Sequence, residues 1–365
     1  MTYKPCSWQV KFRGGIRIRN KRKAEHLELA INAAEGPRSS GLEDVHLVPD
    51  SVPDLAMQDI DLGTDFLGKY LHYPILINAL TGGTEPAKKI NRTLASLAHK
   101  YGLAMAVGSM TIAIEDSSVQ DSFQVVREAN PDGVILANCG ANITPEQACQ
   151  AVNLIRADGL QLHFNVPQEL AMAEGDRDFR GIVENVGRII EACPVPVIAK
   201  EVGFGLARET AVKLYGAGIR IFDNGGCGGT NFVVIEDQRQ GMFAHQLDDW
   251  GMSTAASLAE IVSLQLPAQV IASGGIRTAA DIAKVIAMGA DVAGITGLFI
   301  RILQKMGPEE LERHLAGLIY QLRAVFLMCG ARDCRQIRTK PVLILGNTAE
   351  WLLARNIYPA DWANR

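Results

Sequence analysis

The sequence predicts a single-domain, eight-stranded parallel β/α barrel, a (β/α)8 TIM barrel, and three observations carry that prediction. Short apolar runs recur from residue 74 onward, each ending in small or polar residues. Amphipathic stretches separate them. The glycine-bearing ends of the last two runs each lead into a helix-like segment, the arrangement that holds phosphate in such barrels. A chain of 365 residues suits one barrel. With 48% hydrophobic and only 21% charged residues, it suits a sheet covered on both faces.

The runs, in order, are Pro74–Ala79, Leu103–Ser109, Gly133–Gly140, Gly159–Asn165, Val195–Val202, Gly218–Asn224, Ala268–Gly275 and Val292–Phe299. Most are almost continuously apolar, as parallel strands buried on both faces require. Pro86–Gly102 places Ile90, Leu94, Leu97, Ala98 and Tyr101 on one helical face, with proline at its start and glycine at its end. Ala207–Gly216 and Thr278–Gly289 follow the same logic. Eight such units close into a barrel more naturally than into the alternative, an open doubly wound sheet. Between the sixth run and its helix lies an extended loop, Gly225–Met252, long enough to be a lid over the site or a contact between subunits.

Ahead of the barrel, residues 1–20 form an extension, and Met1–Gly15, without apolar periodicity, is expected to be disordered. Residues 21–365 are expected to form the barrel domain, beginning with a helix over Lys21–Ala34. Residues 35–73 read as irregular, punctuated by Pro37, Pro49 and Pro53. The tail after Gly330 is expected to pack on the barrel. A net charge of −4 and a pI near 6.0 exclude a global basic field, so no nucleic-acid partner is expected. The basic arm containing Lys4, Lys11, Arg13, Arg17, Arg19, Lys21, Arg22 and Lys23 reads mainly as a solvated extension. No apolar run approaches the roughly 18 residues of a membrane span, and no secretory pattern follows the basic residues. Seven cysteines without a CxxC pair point to a reducing cytoplasm, with Cys139, Cys193 and Cys227 as buried thiols.

Active sites of β/α barrels lie at the carboxyl ends of the strands, so the polar residues ending each run are the candidates. The first run ends in Asn78–Ala79–Leu80–Thr81–Gly82–Gly83, whose glycines let backbone amides approach a ligand. The second ends in Gly108–Ser109. The third ends at Asn138, either a ligand contact or a cap. In the fourth, alternation sets His163 and Asn165 on one side of the strand, with Gln168 and Glu169 following. One carboxylate among amides suits Mg²⁺. Lys200 inside the fifth run needs an anion, a Schiff-base partner or a salt bridge, and Glu201, pointing the other way, is a poor partner for it. The sixth run ends at Asp223–Asn224 and continues into Gly225, Gly226, Gly228, Gly229, Thr230 and Asn231. Ser273–Gly274–Gly275–Ile276–Arg277–Thr278 and Gly294–Ile295–Thr296–Gly297–Leu298 complete the set and predict a phosphate-bearing ligand.

These residues resemble those of the type 2, flavin-dependent isopentenyl-diphosphate isomerases. The resemblance runs collinearly from about residue 20 to 355 through Arg22–Leu27, Ile77–Gly83, Ala106–Ser109, His163–Glu169, Val197–Gly205, Gly225–Phe232, Ala272–Gly275 and Gly330–Arg332. It implies FMN in the barrel mouth, contacted by Leu80, Thr81, Gly82, Gly83, Ser109, Asn138, Lys200 and Thr230. The phosphate would meet Gly274, Gly275, Ile276, Arg277, Thr296, Gly297 and Leu298. Arg22, Lys23, His163, Asn165 and Gln168 would bind the substrate diphosphate, with His163 and Gln168 as catalytic candidates beside reduced FMN. Glu169 would hold Mg²⁺. Membership further implies interconversion of isopentenyl and dimethylallyl diphosphate, NADPH as reductant, and a tetrameric or octameric homo-oligomer. Met110–Thr111 stand where many relatives carry Gln and Arg, and Leu80 where Met is common. An FMN-dependent NAD(P)H oxidoreductase on another small substrate is the alternative, and a non-catalytic flavin- or phosphate-binding module is a third reading.

Overall fold

The computed structural model describes residues 36–79 and 81–365. Arg22, Lys23, the Lys21–Ala34 segment, the extension over residues 1–20 and Leu80 lie outside the described residues.

Eight parallel strands close a barrel: β1 (Ile75–Ile77), β2 (Ala104–Ala106), β3 (Ile135–Gly140), β4 (Gly159–Phe164), β5 (Val197–Glu201), β6 (Ile221–Asp223), β7 (Gln269–Ser273) and β8 (Val292–Ile295). β8 returns to β1 with Ala293 opposite Ile75, which completes the ring. Each strand lies within its predicted run. Strand alternation then sorts the side chains. Outward residues such as Ile77, Met105, Ile135, Leu162, Ala199 and Phe222 join the core shared with the helices. Inward residues Leu76, Leu136, Ile198, Ile221, Ile271 and Val292 form a separate interior cluster.

That interior is sealed at its amino end by a hairpin pairing Thr64–Phe66 with Lys69–Leu71. The reversal needs two successive left-handed residues, Leu67 (φ 54°) and Gly68 (φ 72°), the backbone of a two-residue hairpin turn. Fully buried Phe66 packs among the inward strand residues. Residues expected to be irregular thus supply the barrel floor. With three residues per strand, the hairpin is too short to leave an alternation signal. A second small pairing joins Val45–Leu47 to Val342–Ile344, so the tail lies against the segment that precedes the barrel.

The predicted helices that fall within the described residues appear within a residue of their expected ends. Glu85–Tyr101 starts at Thr84, whose hydroxyl accepts from the Ala87 amide, and stops at left-handed Gly102. Arg208–Gly216 follows β5. Ala279–Met288 opens with a capping box between Thr278 and Asp281. The long loop after β6 contains its own helix, Phe232–Gln240, capped by Asn231 and packed on the short helix Val166–Ala171. Cys139 and Cys227 are buried as expected. Cys193 is only half-buried, because it stands at the end of the helix Ile182–Ala192 on the outer face. No described helix is long and apolar enough to cross a membrane.

Candidate active site at the carboxyl end of the barrel

Above the apolar interior, the next inward position on several strands is polar. Asn78, Asn138, Gln161, Lys200, Asp223 and Ser273 are all buried there. Asp223 is their hub. Its Oδ2 accepts from Lys200 Nζ at 2.8 Å, Asn78 Nδ2 at 2.7 Å and Gln161 Nε2 at 3.3 Å, while Ser273 Oγ donates to Oδ1. The Lys200–Asp223 pairing follows from register, because the two residues face each other across β5 and β6. Of the three partners open to Lys200, the salt bridge is present. Glu201, as alternation requires, turns outward. Its Oε2 accepts from the Phe204 and Gly205 amides at 2.6 and 3.1 Å. Burial pushes its carboxyl group up to about 8, against the pull of those amides and of Lys200.

This polar layer is the base of a cavity of about 770 Å³, within the roughly 300–1,000 Å³ usual for small-ligand sites. Its wall contains Thr81, Gly82, Ser109, Asn138, His163, Asn165, Gln168, Glu169, Lys200, Thr230, Gly274, Gly275, Ile276, Arg277, Thr296, Gly297 and Leu298. Seventeen of the predicted site residues therefore share one rim. Gly83 stands apart: it is outside the cavity wall, and its amide donates to Ser122 Oγ at 2.8 Å. Thr111, one of the departures from the family pattern, reaches the wall beside Ser109, their hydroxyls 3.3 Å apart.

At one end of the cavity, the loops after β6, β7 and β8 converge. Ser273 faces Gly294 in the ladder, which sets Gly274 and Thr296 side by side. A methyl group on Gly274 (φ 106°) would stand 2.0 Å from the Gly226 carbonyl oxygen, and one on Gly275 would stand 2.4 Å from that of Gly228. Only glycines let the two loops lie on each other. Thr254, which no motif singles out, joins them: its hydroxyl donates to the Gly274 carbonyl at 2.6 Å and lies 3.1 Å from those of Cys227 and Ser273. Arg277 donates to the carbonyls of Gly275 and Gly228. The helix Gly297–Met306 begins without a side-chain cap from Thr296, so its first amides and its dipole suit an anion. Glycine cradle, guanidinium and helix start together fit the phosphate of FMN.

At the β4 end, Asn165 Nδ2 donates to Glu169 Oε1 at 2.8 Å and to Gln168 Oε1 at 3.2 Å. Glu169 Oε2 accepts from the Asp176 amide at 2.9 Å. Gln168 Nε2 lies 3.5 Å from Glu236 Oε1, so the helix of the long loop roofs this corner. Glu169, the carboxylate of this corner, offers the hard oxygen that Mg²⁺ on a diphosphate would take. Asp237, His245 and Asp248 also bring possible ligand atoms within 4.8 Å of one another. There, however, Asp237 already accepts from the Phe243 and His245 amides, both at 2.8 Å, and clamps the turn after the roof helix.

Barrel, glycine cradle and cavity together define a β/α-barrel enzyme with a site suited to a phosphate-bearing ligand, and the FMN-dependent dehydrogenase family model matches residues 173–343. Solved structures of mandelate oxidase and of a Pediococcus acidilactici lactate oxidase share the fold. They have TM-scores of 0.64 and 0.66 at 15% identity, covering 91% and 93% of this chain and 100% and 96% of theirs. Sequence relatives are more specific. The isopentenyl-diphosphate delta-isomerase of Moorella thermoacetica is 48% identical, covering 92% of this chain and 97% of the relative. That of Symbiobacterium thermophilum is 46% identical, covering 95% and 99%. The chain belongs to the isopentenyl-diphosphate delta-isomerase family.

Proposed function

We propose that this chain interconverts isopentenyl diphosphate and dimethylallyl diphosphate, using FMN reduced by NADPH and Mg²⁺ on the substrate diphosphate. One observation carries the reading. The glycine loops after β7 and β8 and the group of His163, Asn165, Gln168 and Glu169 at and after the end of β4 open into the same cavity. Thr81, Gly82, Ser109, Asn138, Lys200 and Thr230 would hold the flavin between them, with Gly274, Gly275, Ile276, Arg277, Thr296, Gly297 and Leu298 at its phosphate. When bound and reduced, FMN supplies a proton donor and acceptor close to the alkene.

The chain's own residues bind and orient. Glu169 holds the metal, and His163 and Asn165 hold the diphosphate, with Arg22 and Lys23 completing the anion site. Gln168 is positioned between Asn165 and Glu236. Binding energy from the diphosphate is thereby spent on carbons remote from it. Phe232 and Leu298 line the same cavity and help exclude water. Catalysis in the cytoplasm by a homo-oligomer, tetramer or octamer, belongs to the same reading. The exposed Leu345, Leu353 and Tyr358 of the tail support subunit contact.

Anaerobic incubation of isopentenyl diphosphate with the protein, FMN, NADPH and Mg²⁺ should yield dimethylallyl diphosphate while NADPH is consumed only to reduce the flavin. The dehydrogenase match favours one alternative, an FMN-dependent oxidoreductase on another substrate. Stoichiometric NADPH consumption with an organic acceptor, and no dimethylallyl product, would establish that instead. Glu169→Gln should raise the Mg²⁺ concentration needed for half-maximal rate by roughly 10–100-fold. An unchanged Mg²⁺ titration would remove Glu169 from the metal site.

A further inference from the structure

The buried polar layer has a direction, and the direction comes from Asp223. An ionised carboxylate can only accept hydrogen bonds, so every group facing it must donate. Asn78 meets it through Nδ2, which leaves Asn78 Oδ1 as an acceptor. Gln161 Nε2 uses both of its hydrogens, one on Asn78 Oδ1 at 2.9 Å and one on Asp223 Oδ2 at 3.3 Å. Gln161 must therefore present Oε1 to its other neighbour, and Asn138 Nδ2 donates to it at 3.0 Å. With its nitrogen committed, Asn138 turns Oδ1 toward His163 Nδ1, 2.9 Å away. An amide oxygen cannot donate, so that imidazole nitrogen carries a proton. The arrangement admits the neutral ring protonated at Nδ1, or the imidazolium. It excludes the neutral ring protonated only at Nε2.

We infer that Asp223 is a positioning residue that, through Gln161 and Asn138, keeps His163 protonated at Nδ1, so that the ring gains and loses its proton at Nε2. The substrate contact of His163 rests on the function proposed above; the relay itself does not. Asp223 and Gln161 are fully buried and Asn138 nearly so, so the donor and acceptor pattern is fixed chiefly by these side chains themselves. The relay also ties the flavin side of the cavity to the substrate side, because Lys200 and His163 depend on the same carboxylate.

The test is ¹⁵N NMR of the full chain labelled at histidine, without substrate, with the His163 signals identified by their loss in His163→Gln. The wild type should show Nδ1 in the protonated range. At a pH where the ring is neutral, Nε2 should be in the unprotonated range. Gln161→Met cuts the relay while sparing the Lys200–Asp223 pair, and should move both resonances toward a mixture of tautomers. Adding Asn138→Asp to that variant places an acceptor-only group beside Nδ1 and should restore the wild-type pattern. A wild-type ring protonated at Nε2 alone, or a pattern that Gln161→Met leaves unmoved, overturns the relay. If the resonances shift as described but the KM for isopentenyl diphosphate rises less than about threefold in Gln161→Met, the relay stands and the substrate role of His163 falls.

Discussion

The barrel interior has two layers built from the same strands, and they differ in almost everything else. On β5 the inward residues are Ile198 and then Lys200, two positions apart. Ile198 belongs to the apolar cluster that Phe66 closes from below. Lys200 belongs to the ionic hub around Asp223. The lower layer needs only shape and volume, and burying a side chain such as Ile198 contributes about 1.5–3 kcal/mol. The upper layer holds a charge pair and four polar side chains whose desolvation offsets much of what their contacts contribute. A barrel filled with aliphatic residues to the top would be at least as stable. What the polar layer adds is a fixed pattern of donors and acceptors at the base of a cavity, which is a property of function and not of folding.

Paired substitutions on β5 can break that comparison. Lys200→Met has the largest expected effect. It strips Asp223 of its only cation partner among the described residues and should lower stability by about 3–5 kcal/mol. Flavin retention and turnover should be lost with it. Ile198→Ala, one inward step below, should lower stability by about 2–5 kcal/mol but leave the flavin spectrum and its binding constant near wild type. Urea denaturation and flavin titration of both variants separate the layers. If Ile198→Ala weakens flavin binding as much as Lys200→Met does, the two layers are one cooperative unit and the division is wrong.

Gly274→Ala sharpens the contrast from the side of the cavity wall. The added methyl would meet the Gly226 carbonyl at 2.0 Å, at a residue whose φ of 106° disfavours any side chain. The two loops must separate, so the flavin dissociation constant should rise roughly tenfold or more, the equivalent of about 1.4 kcal/mol. Thermal unfolding of the flavin-free protein should change less than in Ile198→Ala, because the loops sit above the barrel core. A flavin titration unchanged by the methyl would mean that these glycines serve loop packing alone.

How far these features could be read in advance follows the same division. The strands were legible because fully buried parallel strands leave unbroken apolar runs, and the rim was legible because polar residues interrupt those runs at their ends. His163, Asn165 and Lys200 all announce themselves in this way. Gln161 does not: it lies mid-strand between leucines, and nothing local distinguishes a hub member from a tolerated glutamine. Asp223 was visible as a strand end, but its pairing with Lys200 depends on the register of β6 against β5, which no local pattern encodes. Thr254 fastens carbonyls 19 to 27 residues away along the chain, a long-range role that follows only from closure. The floor hairpin was missed for the opposite reason, because too few residues form it for a period to show.

The smallest expected effect concerns the outward neighbour of Lys200. Glu201 occupies the last position of β5, and burial raises its carboxyl from 4.5 to about 8. The unfolded chain ionises at the lower value, so between pH 4.5 and about 8 the folded state holds a proton that the unfolded state has released. Stability must then fall as pH rises through that window and level off above it. Glu201→Gln keeps an oxygen for the Phe204 and Gly205 amides but has no proton to lose. Its melting temperature relative to wild type should climb steadily across the window and then stay constant. A difference in melting temperature that stays flat with pH would show that the carboxylate is ionised in the folded state throughout. In that case the amides of Phe204 and Gly205, with Lys200 behind them, outweigh burial, and the outer face of β5 would tolerate charge as readily as the inner one.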